Sequence, residues 1–136
     1  MLRTLIVEDD FTSRKILQAI LRPYGACDVA VNGPEALDAY TAALRDRVPY
    51  ELICLDINMP GMDGHAVLTA IRSMEESLGI MGLDRARVIM TTASSDRKDV
   101  ATAFRSECDA YFIKPYDPEA LLASLREMGL ADRLTV

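Results

Sequence analysis

The segment ELICLDINMPGMDG, residues 51–64, decides the fold of this chain, because it holds the clearest strand in the sequence. Four apolar residues in a row, from Leu52 to Leu55, predict a buried strand over Glu51–Asp56. The Pro and Gly residues after Asp56 predict a loop. The rest of the sequence repeats this pattern of apolar run, turn and helix on both sides of the segment.

Four further strands and five helices are predicted. The other strands are the short apolar runs Leu5–Val7, Cys27–Val31, Val88–Met90 and Ala110–Ile113. Apolar residues at helical spacing predict the helices, and these residues lie within Ile16–Leu21, Leu37–Leu44, Val67–Leu78, Val100–Phe104 and Leu121–Met128. Strands that alternate with helices predict an α/β fold, a doubly wound five-stranded parallel sheet with helices on both faces.

Size and composition favour one domain and exclude some partners. A chain of 136 residues fits one domain, residues 1–136, with no room for an output domain. Acidic residues outnumber Lys and Arg by 21 to 15, which argues against a nucleic-acid surface. The isolated cysteines are typical of a reducing cytoplasm, and the apolar runs are too short to span a membrane. We therefore expect a cytoplasmic protein without nucleic-acid or membrane contacts.

Polar side chains stand at the ends of four predicted strands, where ligands bind in open α/β sheets. They are Glu8-Asp9-Asp10 after the first strand, Asp56 at the end of the third, Thr91-Thr92 after the fourth and Lys114 after the fifth. Each alone has an ordinary explanation, such as helix capping by an acid or a solvated loop lysine. Their coincidence on one rim of the sheet indicates a functional site.

The residue types at this rim fit phosphoryl transfer. Carboxylates that lie close together repel unless a cation separates them, and Mg²⁺ prefers oxygen ligands of this kind. Phosphoryl transfer needs positive charge around the phosphoryl oxygens, which Mg²⁺ and the Lys114 ammonium would supply. Asp56 would then act as the nucleophile and form an acyl phosphate.

With these features, the sequence resembles the response regulator receiver domains of two-component signalling, the CheY-like family. The resemblance rests on LIVEDDFTSRKIL (5–17), LICLDINMPGMDG (52–64), IMTTAS (89–94) and YFIKPY (111–116), four motifs in the order of the family. It covers nearly the whole chain. It implies a flavodoxin-like sheet of strand order 2-1-3-4-5 and a phosphoacceptor function.

The resemblance also implies a role for individual residues. Asp56 is the phosphorylated residue, Thr92 and Lys114 contact the phosphoryl group, Asp9 binds Mg²⁺ directly, Glu8 binds it through water, and Asn58 offers its backbone carbonyl. Asp10 falls just outside the site. Tyr111 matches the aromatic residue that turns inward with Thr92 on activation, although an ordinary strand aromatic is the alternative. Asn58 and Ser94 overhang the acyl phosphate and would tune its lifetime.

The function implied is a stand-alone response regulator, a monomer or weak dimer. A sensor histidine kinase would supply the phosphoryl group in a Mg²⁺-dependent reaction, and the chain would assist its own phosphorylation and dephosphorylation without being an enzyme for other substrates. An unknown protein target would bind a face within residues 96–128, made by the helix at Val100–Phe104, the fifth strand and the C-terminal helix.

Three alternatives stay open. One is a phosphorelay intermediate that passes its phosphate to a histidine phosphotransfer protein. A haloacid-dehalogenase-like phosphatase needs a second Asp two residues after the nucleophile, where this chain has Asn58. A purely structural interaction module would not need the complete set of acids, Thr and Lys. One departure from the family is the long stretch Met74–Arg87, which predicts a longer helix and loop, or less readily a contact surface of Leu78, Ile80 and Met81.

Overall fold

The computed structural model describes residues 1–93 and 108–134, and its strands form one parallel sheet. The strands are β1 (Thr4–Val7), β2 (Cys27–Ala30), β3 (Leu52–Asp56), β4 (Arg87–Thr92) and β5 (Ala110–Ile113). Their order across the sheet is β2-β1-β3-β4-β5, and each neighbouring pair is parallel. The predicted fold class and the strand order 2-1-3-4-5 are confirmed.

Four α-helices connect or follow these strands in the described part of the chain. They are α1 (Phe11–Leu21), α2 (Gly33–Arg45), α3 (Gly64–Ser77) and α4 (Pro118–Leu125). A π-helical turn over Arg126–Leu130 and a 3-10 turn over Ala131–Leu134 follow α4. The helix predicted around Val100–Phe104 lies outside the described residues. No described helix combines the length and apolar character needed to span a membrane.

Side chains that alternate along the strands build a separate core on each face of the sheet. One core holds Leu5, Val7, Ile53, Leu55, Val88 and Met90 from the strands, with Tyr40 of α2 and Val67, Leu68 and Ile71 of α3. The other holds Ile6, Leu52, Cys54 and Ile89, with Leu17 and Leu21 of α1, Leu121 and Leu125 of α4, and Leu130 and Leu134 of the C-terminal turns. The helices therefore cover both faces, as the sequence predicts.

Each described α-helix starts with a capping side chain that follows a strand. The side chains of Asp10, Asn32, Asp63 and Asp117 accept hydrogen bonds from the Ser13, Glu35, Ala66 and Glu119 amides at 2.8, 2.8, 3.0 and 3.2 Å. These caps satisfy backbone donors that a helix leaves unpaired at its start. They fix the amino-terminal ends of the helices, which carry partial positive charge, at the carboxyl edge of the sheet.

The long stretch Met74–Arg87 continues α3 to Ser77, forms a 3-10 turn at Gly82–Asp84 and enters β4 at Arg87. This is the longer helix and loop that the sequence predicts. Leu78 and Met81 are 63% and 72% exposed, so their side chains lie largely in solvent. The stretch lies at the amino-terminal edge of the sheet, away from the strand ends that carry the acids.

Candidate functional site

Three acids from neighbouring strands meet at the carboxyl edge of the sheet. β1 and β3 are adjacent, with Val7 paired to Leu55, so the residues that follow lie side by side. One carboxylate oxygen from each of Glu8, Asp9 and Asp56 lies within 4.8 Å of the other two. Glu8 and Asp56 are 0% and 4% exposed, whereas Asp9 is exposed. The sheet thus brings together the acids that the sequence places at two separate strand ends.

Burial makes the Asp56 carboxylate costly to ionise. Removal from water raises the pKa of Asp56 to about 7, and a hydrogen bond with the Glu8 carboxyl and its negative charge add to the effect. The Lys114 ammonium and the backbone N–H of Asn58 act in the opposite direction and lower this pKa. A cation placed among the three acids would favour the ionised form, which is the form that can act as a nucleophile.

Lys114 supplies positive charge to this cluster. Its ammonium pairs most closely with the Glu8 carboxylate and lies 3.7 Å from an oxygen of Asp56. The residue follows β5, and its amide donates to the Thr92 carbonyl at 2.7 Å. The ladder between β4 and β5 therefore sets where the lysine starts. Lys114, as predicted, lies beside Asp56, although Glu8 is its nearer partner.

Thr92 and Asn58 lie beside the cluster and contact each other. Thr92 is the last residue of β4, which is longer than the predicted strand Val88–Met90. Its side chain is 0% exposed. Its hydroxyl donates to the side-chain carbonyl of Asn58 at 2.6 Å. The backbone N–H of Asn58 in turn donates to the Asp56 carboxylate at 3.1 Å. The contact between the Thr92 and Asn58 side chains does not follow from the spacing of the sequence.

The other residues singled out from the sequence lie around this centre. Asp10 caps α1, which places it outside the acid cluster, and the Arg14 guanidinium donates to the Glu8 carbonyl at 3.1 Å. Tyr111 is half-buried in β5, where it pairs with Met90 of β4. Ser94 lies outside the described residues, so its predicted position over the acyl phosphate stays a prediction.

Two residues near the site escaped the sequence reasoning. A Cβ atom at Gly64 would lie 2.5 Å from the Asp56 carbonyl oxygen, so only glycine lets α3 start this close to the end of β3. The Tyr116 hydroxyl has a pKa raised by burial, and the negative charges of Glu8 and Asp56 contribute. Gly64 ends the loop already quoted, which was a usable signal. Tyr116 follows Lys114 by two residues and carried no such signal.

The donor set of the acid cluster fits Mg²⁺. All three side chains offer carboxylate oxygens, the hard ligands that this ion prefers, and two of the three are buried. Sulfur and imidazole ligands, which favour zinc and other transition metals, are not part of the cluster that the described residues form. Glu8, Asp9 and Asp56 are therefore the side chains that would hold the ion.

The chain is similar to longer regulatory proteins. It is 31% identical over 131 residues to the probable transcriptional regulator ycf29 of Porphyra purpurea, covering 96% of this chain and 57% of that protein. It is 35% identical over 124 residues to the DNA-binding response regulator MtrA of Mycobacterium tuberculosis, covering 91% and 49%. The chain thus spans about half the length of the curated relatives it matches.

Solved structures share the fold over nearly the whole chain. The CheX-CheY-BeF3-Mg complex of Borrelia burgdorferi aligns with a TM-score of 0.80 and 27% identity, covering 94% of this chain and 89% of that chain. The chemotaxis protein CheY4 of Vibrio cholerae aligns with a TM-score of 0.76 and 24% identity, covering 94% and 98%, and shows the fold alone. Residues 4–126 match the family described as the response regulator receiver domain. With this match and the CheY-like sheet order, the chain belongs to the receiver domain family of two-component response regulators.

Proposed function

We propose that this chain accepts a phosphoryl group on Asp56 from a sensor histidine kinase and then signals to a protein target. The observation that carries the proposal is the position of Asp56. Its buried carboxylate ends β3 and lies beside two further acids and an ammonium group. A structural turn residue would not need this surrounding, because clustered buried acids cost stability unless they bind something.

The residues of the site have distinct tasks in this reaction. A carboxylate oxygen of Asp56 attacks the phosphorus of the donor, the bond from phosphorus to the donor nitrogen or oxygen breaks, and the leaving group keeps the electron pair and takes up a proton. Asp9, Asp56 and the Asn58 carbonyl would hold Mg²⁺ directly and Glu8 through water, and the ion would supply positive charge that balances the acids and the phosphoryl oxygens. Lys114 adds a second positive charge beside Asp56. The Thr92 hydroxyl donates a hydrogen bond to a phosphoryl oxygen.

Two features of the site support a signalling role over turnover of other substrates. Rapid hydrolysis by a haloacid-dehalogenase-like route needs a general acid two residues after the nucleophile, and this chain has the amide of Asn58 there. The carbonyl oxygen of that side-chain amide already accepts a hydrogen bond from the Thr92 hydroxyl. We propose that the chain acts on itself alone, with Asn58 and Ser94 setting how quickly water reaches the acyl phosphate.

The output of the switch is part of the proposal. We propose a cytoplasmic receiver that acts as a single domain. It signals through a face within residues 96–128 that includes Tyr111, β5 and α4. The alternative output is a phosphorelay role. The relatives do not support the expected absence of nucleic-acid contacts, since MtrA is named a DNA-binding response regulator. This chain matches 49% of the length of MtrA.

The proposal is tested by phosphorylation with a small phosphodonor, in the presence and absence of Mg²⁺. We expect one acid-stable, base-labile phosphate per chain that requires Mg²⁺ and is lost in Asp56→Asn. Asp63→Asn is the matched control, because Asp63 is exposed in the same loop and asparagine caps a helix equally well. It should be labelled like the wild type. A label that persists in Asp56→Asn, or that maps to another residue, would overturn the assignment.

A further inference from the structure

The contact between Thr92 and Asn58 has a consequence for the resting state of the switch. The Thr92 side chain is fully buried, whereas the Asn58 side chain is exposed at the start of the loop after β3. At 2.6 Å, the Thr92 hydroxyl directs its proton at the Asn58 carbonyl. A hydroxyl has one proton to donate, so this bond and a bond from Thr92 to a phosphoryl oxygen exclude each other.

We propose that the side chain of Asn58 is a resting-state clasp for Thr92. It holds the hydroxyl of Thr92 until a phosphoryl group on Asp56 offers a stronger acceptor. This inference rests on the proposed function of Asp56. It gives the side chain of Asn58 a positioning role, whereas the backbone carbonyl of the same residue is expected to bind the metal. The backbone N–H of Asn58 also donates to the Asp56 carboxylate at 3.1 Å, so residue 58 contacts both Asp56 and Thr92.

The exchange of partners is favourable only after phosphorylation. Asn58 is an exposed residue, so its side-chain carbonyl can bond to water when the clasp opens, and breaking the bond costs little. The buried hydroxyl, by contrast, must find a new acceptor, since an unsatisfied buried donor is costly. A charged phosphoryl oxygen is roughly twice as strong an acceptor as a neutral amide. The clasp therefore keeps Thr92 in place in the resting state and gives way when the charge arrives.

The clasp also links the end of β4 to the loop that carries the metal ligands. The backbone carbonyl of Thr92 accepts a hydrogen bond from the backbone N–H of Lys114 at 2.7 Å, so a shift of the Thr92 backbone would also move the backbone of Lys114. Asn58 thus influences two properties at once, the lifetime of the phosphoryl group and the position of the Thr92 side chain. A substitution at residue 58 should change both.

The test measures binding of beryllofluoride, a phosphoryl mimic, with Mg²⁺ in three backgrounds. Asn58→Ala removes the clasp, and we expect it to raise the apparent affinity by a factor of about 2 to 10, the worth of one net hydrogen bond. The same gain should appear in the Thr92→Ser background, which keeps the hydroxyl. It should vanish in the Thr92→Val background, which has no hydroxyl to hold. An equal gain in all three backgrounds, or no gain in any, would overturn the clasp.

A second measurement on the free protein separates this inference from the proposed function. Without Mg²⁺ or beryllofluoride, Asn58→Ala should shift the methyl and amide resonances of Thr92, whereas Pro60→Ala, an exposed change in the same loop, should not. Unchanged Thr92 resonances would overturn the clasp whatever the binding data show. If beryllofluoride binds no variant, the proposed function fails, and a shifted Thr92 resonance in Asn58→Ala would still support the clasp.

Discussion

Glu75→Ala is expected to destabilise the fold strongly, because Glu75 is a buried acid with several partners at the amino-terminal edge of the sheet. Its exposed fraction is 1%. One carboxylate oxygen accepts the Arg72 guanidinium at 2.7 Å, and the other accepts the Tyr40 hydroxyl at 3.0 Å and the Ala86 amide at 2.8 Å. The side chain therefore joins α2, α3 and the segment that enters β4.

The magnitude follows from the groups that the substitution leaves behind. Breaking a buried ion pair by removing one partner costs about 3 to 5 kcal/mol. Arg72 keeps Asp109 at 3.1 Å and the Ala86 carbonyl at 2.8 Å, which places the loss of the ion pair near the lower end of that range. The Tyr40 hydroxyl and the Ala86 amide lose their acceptor, at about 1 kcal/mol or more each. Since such losses are not additive, we expect a total of about 4 kcal/mol.

The assay is urea unfolding of the wild type, Glu75→Ala and the control Glu76→Ala. Glu76 is the next residue on the same helix but is exposed, so its change to alanine should alter the free energy of unfolding by less than about 0.5 kcal/mol. If Glu75→Ala loses no more than Glu76→Ala, the carboxylate is solvated and the reasoning from burial is wrong. A lower midpoint with an unchanged slope would show that stability has changed and the compactness of the two states has not.

Two further predictions concern the acid cluster and the phosphorylated state. Because the pKa of Asp56 rises from 3.8 to about 7 on folding, the wild type should lose stability as pH rises through this window, by roughly 4 kcal/mol at most. In EDTA, Asp56→Asn should therefore be more stable than the wild type at about pH 8 and nearly equal to it at about pH 4. Urea unfolding measures this, and an equal gain in the free energy of unfolding at both pH values would refute it. The phosphoryl group on Asp56 should decay within minutes, because Asn58 is small and shields it poorly, and Asn58→Arg should slow the decay by crowding the path of water. A time course of phosphate loss measures this, and a wild-type lifetime of hours would favour the relay role.

The fold was predictable because its signals are local. Each strand is a short apolar run between turn residues, and the predicted β5, Ala110–Ile113, agrees with the structure at both ends. The boundaries of β4 were less predictable. Its last two residues, Thr91 and Thr92, are polar but buried, and a reading based on apolar runs ends the strand before them. The parallel arrangement follows from the alternation of strands and helices, whereas the order of the strands came from the family resemblance.

The candidate site was predictable as a set of residues but not as a set of contacts. The rule that strand ends converge places these acids on one rim, and the strand order implied by the resemblance sets β1 beside β3 and so brings Glu8 and Asp9 to Asp56. Pairings depend on distances of a few ångströms that no sequence pattern encodes. Lys114 therefore proved to be nearer to Glu8 than to Asp56. The buried pair of Arg72 and Glu75 was not foreseen for the same reason, since charged residues in a helix are normally read as its exposed side.

The two edges of the sheet treat buried charge differently, and this difference connects stability to function. At the amino-terminal edge, Glu75 is neutralised by Arg72 and its remaining lone pairs are bonded. At the carboxyl edge, Glu8 and Asp56 are buried beside Asp9, and Lys114 is the cation that pairs with them among the described residues. An unbalanced buried charge lowers stability, so it persists where binding restores the balance. Removing the acid at the amino-terminal edge should therefore destabilise the fold. Removing an acid at the carboxyl edge should stabilise the fold in the absence of a cation, and Mg²⁺ should diminish only this gain.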